Sequence, residues 1–162
     1  MICYRKATLE DLEAIWDYNI AQNPDEPRNL RWKQSYIERN ISNRAATYVV
    51  LWDGIPVGEV TLDYHAESYG KPESRQKLAD GKHTAYVTAL RIRKEFEGQG
   101  YISGLMHCME EDAGKMGFTR LTIGVEAAET RTLAIYLRWN YNQFIMGEHD
   151  EGNLVLFYAK NI

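Results

Sequence analysis

The segment from Ala85 to Met106 constrains this chain more than any other. Strand-like alternation over Ala85 to Ile92 runs into a charged bend, Arg93-Lys-Glu-Phe-Glu97. Gly98-Gln99-Gly100 follows, and an amphipathic helix starts at once. Glycine reaches backbone conformations closed to other residues, and the first turn of the next helix carries N–H groups that have no intrahelical acceptor. Those donors sit at the positive end of the helix dipole. Strand, glycine turn and helix in that order make an anion cradle, and phosphate is the anion most often held this way. The same pattern also serves as a plain tight turn, so a second motif is needed to choose between the two.

The rest of the chain reads as alternating short elements. Ile2 to Lys6 is an opening strand. Thr8 followed by Asp11 matches a capping box, and Leu12, Ile15, Trp16 and Ile20 recur at helical spacing, which predicts a helix over 9–22. Asn23-Pro-Asp-Glu-Pro27 breaks it. A second helix is predicted over 30–43, with Trp32, Tyr36, Ile37 and Ile41 as its buried stripe. Strands over 47–52 and 55–64 meet at Asp53-Gly54, a strong hairpin signal. Residues 65–83 are polar and read as a long excursion with a short helix near 73–79, either a lid or binding loop or a solvated insertion.

Beyond the glycines, Ile102, Leu105, Met106, Met109, Ala113 and Met116 line one helical face up to Gly117. A strand over 121–125, a helix over 129–139, and strands over 141–146 and 154–160 around a turn at 150–153 complete the order. The expected architecture is a single α/β domain over 1–162, with a mixed, largely antiparallel sheet flanked by helices.

Composition removes several classes of function. A net charge of −4 gives no basic face for nucleic acid. Cys3 and Cys108 fit no metal-ligand spacing, so no metal site is expected. No apolar run reaches membrane-span length and the first residues lack the apolar core of a leader, so a soluble cytoplasmic protein is expected.

Two motifs together resemble a family. Leu90-Arg91-Ile92, the bend, Gly98-Gln99-Gly100 and the helix are similar to the acetyl-CoA motif of the GCN5-related N-acetyltransferases (GNAT). Glu129-Thr-Arg-Thr132-Leu-Ala-Ile-Tyr136-Leu-Arg-Trp-Asn-Tyr141 resembles the same superfamily's Asn-x-x-Ala-x-x-x-Tyr segment. The resemblance spans the whole chain and implies a GNAT-like acyl-CoA N-acyltransferase fold. It also implies direct transfer from the cosubstrate acetyl-CoA to a primary amine, on a small molecule or a peptide, with a homodimer as an added expectation. In that reading the amides of Gly98, Gln99, Gly100, Tyr101, Ile102 and Ser103 hold the pyrophosphate. Leu90, Arg91 and Ile92 line the pantetheine arm as an added strand would. Glu129 and Thr132 stand at further coenzyme positions, and Tyr136 protonates the leaving thiolate.

This chain departs from the family pattern at Glu97, Ile102, Glu129, Thr132 and Trp139-Asn140. Tyr86, Thr88 and Gly124 occupy positions where many members carry the general base. Glu59 is taken as the candidate base, on a strand row with Thr61 and Asp63 that faces either open solvent or a cleft. Glu126, His65 or a water chain are alternatives. Glu59, Asp63, Tyr64 and the 65–83 excursion suggest a cationic acceptor. Two other readings remain: a Rossmann-type glycine run, and a coenzyme-A-binding or partner-binding domain without catalysis.

Overall fold

The computed structural model describes residues 1–162. Its elements are β1 (Ile2–Lys6), α1 (Leu9–Gln22), α2 (Asn29–Ile41), β2 (Ala45–Trp52), β3 (Ile55–Asp63), α3 (Pro72–Leu78) and β4 (Thr84–Ile92). A 3-10 turn at Lys94–Phe96 follows, then α4 (Tyr101–Lys115), β5 (Arg120–Glu126), α5 (Thr130–Arg138), β6 (Gln143–Asp150) and β7 (Asn153–Asn161). The strands form one mixed, mostly antiparallel sheet in the order β1-β2-β3-β4-β5-β7-β6. No helix is long and apolar enough to cross a membrane. The chain divides into two compact units. One comprises Met1–Leu62 with Ala89–Asp112, the other Asp63–Thr88 with Ala113–Ile162, and β4 runs through both.

In the first unit, α1 starts where its sequence requires. The Thr8 hydroxyl accepts from Asp11 N–H, and the Asp11 carboxylate accepts from Thr8 N–H. Ile15 and Trp16 then pack with Tyr36 of α2 and with Val49 and Leu51 of β2, the two rings stacking at 5.5 Å. On the other side of β2, the Tyr48 hydroxyl donates to Asp112 of α4. So α1 and α2 cover one face of this sheet portion and α4 the other. Ile41, placed in the buried stripe on sequence, is exposed, because the helix ends there. Asp53 and Gly54 both take positive φ, 47° and 81°, as a two-residue hairpin turn of the I′ kind demands.

In the second unit, β4 pairs parallel with β5 from Thr84↔Arg120 to Val87↔Ile123. The excursion over 65–83 is neither a free lid nor a solvated insertion. Ala66, Tyr69, Leu78 and Ala79 join Tyr86, Met146 and Phe157 in a buried cluster. The hydroxyls of Tyr69 and Ser74 donate to the Glu148 carboxylate, and Lys71 Nζ donates to the His149 carbonyl at 2.6 Å. Strand β6 runs four residues past the end read from alternation, through Gly147 to Asp150. The backbone ladder to β7 sustains it there without an apolar face, after a register shift between Phe144 and Met146. Met116 lies past the end of α4 and is exposed rather than on its buried stripe.

Candidate active site

The glycine turn has the backbone that its sequence calls for. Gly98 and Gly100 sit at φ 73° and 82°, and a Cβ built on either would meet nothing within 4 Å. What glycine supplies here is the left-handed conformation, not room. Gly104 N–H donates to the Gly100 carbonyl. The N–H groups of Tyr101, Ile102 and Ser103, the three residues before it, therefore belong to the first turn that has no helical acceptor. Two neighbouring side chains have their partners elsewhere. The Tyr101 ring packs toward Trp52 and Phe96, with centroids 6.3 and 6.5 Å away, and the Gln99 amide turns back to the Glu95 carbonyl at 3.4 Å. Glu97, an acid beside the turn, is exposed.

The end of β4 has a defined orientation. Arg93 N–H donates to Val57 O at 2.8 Å, and the Arg91 carbonyl lies against Gly58. Arg91 and Arg93 thus turn their backbone groups to β3, so alternation turns those of Leu90 and Ile92 to the opposite edge. Arg91, grouped with the pantetheine-lining residues on sequence, turns its backbone to β3 and its side chain to α1. Ala89, at φ 53°, is a left-handed residue inside the strand, as a bulge requires. A Cβ on Gly58 would stand 2.8 Å from Val50 Cγ1 and 3.0 Å from the Arg91 carbonyl oxygen. Gly58→Val is therefore expected to cost about 1–3 kcal/mol by overpacking, read as a lowered denaturation midpoint. Because one contact is backbone, it should also displace the Leu90–Ile92 edge.

The polar row on β3 is buried. Glu59 is 2 % exposed, and Thr61 and Asp63 are sealed completely. This corrects the expectation of an open face or cleft. In the first unit α1 and α2 cover the row. The Thr61 hydroxyl pairs with that of Thr47 at 2.8 Å, and Glu59 Oε1 takes Arg91 Nε at 2.9 Å and Asn19 Nδ2 at 3.3 Å. Burial pushes the Glu59 carboxyl above the usual range, and the Arg91 charge and both hydrogen bonds offset part of that. In the second unit, Asp63 accepts from the N–H groups of His65 and Ser68, closing the start of the excursion. Neither acid is free to meet a cationic acceptor, so the sequence argument for one does not hold. Sequence reading missed what lies over Glu59: the Arg91 guanidinium rests on the Trp16 ring at 5.1 Å, and Arg93 lies over Tyr18 at 3.9 Å. Two arginines two apart on one strand were the available signal.

Tyr136 lies on α5 in the second unit and is 9 % exposed, its ring stacked on Trp139 at 5.9 Å. Burial, with the Glu129 charge as a smaller cause, pushes its phenol up to about 12. No protein group bonds its hydroxyl, and that oxygen is not sealed from solvent. A core tyrosine ordinarily finds a partner for its hydroxyl. Glu129 is the exposed N-cap residue of α5, Thr132 is half-buried one turn on, and Glu126 is exposed at the end of β5. No group of three His, Cys, Asp or Glu is placed to hold a metal ion.

The model of the acetyltransferase (GNAT) family matches residues 9–141. No curated protein matches the chain. Among solved structures, an N-acetyltransferase from Staphylococcus aureus Mu50 is 18% identical with a TM-score of 0.72, covering 99% of this chain and 98% of its own. PaiA N-acetyltransferase from Thermoplasma acidophilum, solved with coenzyme A, is 17% identical with a TM-score of 0.65, covering 100% of this chain and 99% of its own. The yncA protein of Salmonella typhimurium, solved with its cofactor acetyl-CoA, is 14% identical with a TM-score of 0.71, covering 99% of this chain and 94% of its own.

Proposed function

Because the chain belongs to the acetyltransferase (GNAT) family, we propose that it moves the acetyl group of acetyl-CoA to a primary amine on a small molecule or peptide. The observation that carries this reading is the pair of left-handed glycines opening α4, after a strand whose Leu90 and Ile92 turn their backbone away from β3. In this reading the amides from Gly98 to Ser103 take the pyrophosphate. The backbone of Leu90 and Ile92 pairs with the pantetheine amides as one more strand. Two of the solved structures that share the fold hold coenzyme A or acetyl-CoA.

The chemistry follows from the groups assigned. The neutral amine nitrogen attacks the thioester carbonyl carbon, and a C–N bond forms as the carbonyl electrons move to oxygen. Collapse of that tetrahedral adduct breaks the C–S bond, and the departing sulfur takes a proton from the Tyr136 hydroxyl. The nitrogen's surplus proton leaves toward Glu59, whose pKa burial raises, through water where no direct path exists. No acyl-enzyme is required. Changing Cys3 and Cys108 together to Ala is expected to leave turnover within about twofold, since neither thiol acts as a nucleophile. Loss of activity in that variant would argue for a covalent intermediate.

Thiol release from acetyl-CoA in the presence of a mixed panel of primary amines tests the proposal. Amine-dependent release with an acetylated product is the expected result. Coenzyme binding without release for any amine would favour a binding domain that kept the fold.

A further inference from the structure

The guanidinium of Arg91 is held in an unusual way for a group that is 43% exposed along its side chain. From one side Glu59, buried under α1, takes its Nε. From below, the Trp16 ring supports it. Neither terminal Nη group has a protein acceptor, and the guanidinium fork they form matches the two oxygens of a carboxylate. Arg93 stands on the same strand face, about 7 Å further along, and no acid pairs with it. The face thus carries two cations against one buried anion, in a chain whose net charge is −4. The residue beneath Arg91 is also polar and unpaired: Trp16 is buried, and its Nε1–H is a donor without an acceptor in the protein. Buried donors are rarely left so, because each unmade bond costs free energy.

The position of this fork separates it from the phosphate cradle. Tyr48 and Tyr4 reach α4 on one face of the sheet, through Asp112 and against Gly104. Arg91 lies on the opposite face, with α1. The guanidinium is therefore across the sheet from the amides that would hold the coenzyme's phosphates. Yet it is flanked in sequence by Leu90 and Ile92, whose backbone would hold the pantetheine arm.

We propose that Arg91, with Arg93 beside it and Trp16 beneath, is the anchor for a carboxylate on the acceptor, so that the amine substrate is an amino acid or a peptide bearing a free carboxylate. This rests on the transferase reading given above and reverses the charge expected of the acceptor from sequence. The amine end is then presented to the thioester while the carboxylate stays on the fork. Arg91 would set acceptor choice through KM, and its pairing with Glu59 also couples it to proton removal. The acid-to-amide ratio, not the absolute rate, is therefore what reports on the anchor.

The test uses the protein loaded with coenzyme A and matched pairs of ligands. N-acetyl amino acids spanning the side-chain types are titrated calorimetrically against their carboxamides, and the parent amino acids are compared with their amides in the thiol-release assay. The carboxylate member should bind at least about tenfold more tightly and show a kcat/KM higher by a similar factor, mostly through KM. Arg91→Gln should erase the difference. Arg91→Lys keeps a cation beside Glu59, so it protects the fold, but it lacks the fork and should keep only part of the preference. Equal affinity for acids and amides in the unaltered protein, or an undiminished preference in both variants, overturns the proposal. Carboxylate-selective binding without any acetyl transfer would instead overturn the transferase reading and leave the anchor standing. Transfer at equal rates to acids and amides would do the reverse.

Discussion

Replacing Tyr136 with Phe is expected to lower kcat by about 10² or more, the usual contribution of a general acid, while fold and acetyl-CoA affinity stay near normal. Phe keeps the ring that stacks on Trp139 and fills the same volume, so packing changes little. The removed hydroxyl bonds to no protein group, so no buried partner is orphaned. A purely structural tyrosine therefore predicts an almost silent substitution. A large kcat effect at constant coenzyme affinity has no source in that case. Turnover at the unaltered rate would remove Tyr136 from the mechanism.

The pH profile gives an independent reading of the same residue. Burial raises the phenol to about 12, so the proton stays in place where an ordinary tyrosine ionises near 10. The acid should thus remain active through the alkaline range, and any basic limb below pH 10 must come from another group. The linkage has a definite sign, because the folded pKa lies above the unfolded one. The stabilisation is complete below the unfolded value near 10 and is lost as pH rises toward 12. Tyr136→Phe should flatten that alkaline loss of stability.

The elements that the sequence reveals most plainly are those set by neighbouring residues. The capping box at Thr8 and Asp11, the Asp53-Gly54 turn, and the glycine pair before α4 are each decided within a few positions. The fate of the β3 polar row is not local. Glu59 meets Arg91 across β3 and β4, 32 residues later by subtraction of their numbers, and Asn19 reaches it from 40 residues earlier. Alternation shows that Glu59, Thr61 and Asp63 share a face, but not that α1 and α2 will cover the first two. Arg91 was harder still, because the left-handed Ala89 interrupts the strand just before it, and which way each later residue turns depends on that bulge. The excursion over 65–83 looked polar, yet its few apolar residues, Ala66, Tyr69 and Leu78, are the ones that pack.

The cradle glycines carry the second large effect, on coenzyme affinity. Gly98→Ala and Gly100→Ala should each weaken coenzyme A binding about tenfold, and both together about 10², because each left-handed L-residue costs about 1–2 kcal/mol. Steric clash contributes nothing, since a Cβ at either position meets no atom within 4 Å. The cost is conformational. The turn is exposed, with little packing to hold it in a strained shape. It should therefore relax to negative φ and turn its amides away from the phosphates, leaving the melting temperature almost unchanged. Asn tolerates the left-handed region better than Ala, so Gly100→Asn should retain more affinity than Gly100→Ala. Glu97→Gln should change affinity far less, because that side chain is exposed while the donors are backbone. Calorimetric titration with coenzyme A ranks all five variants. An Ala pair that binds as tightly as the unaltered protein, with the same melting temperature, would mean that the phosphates do not sit on this turn.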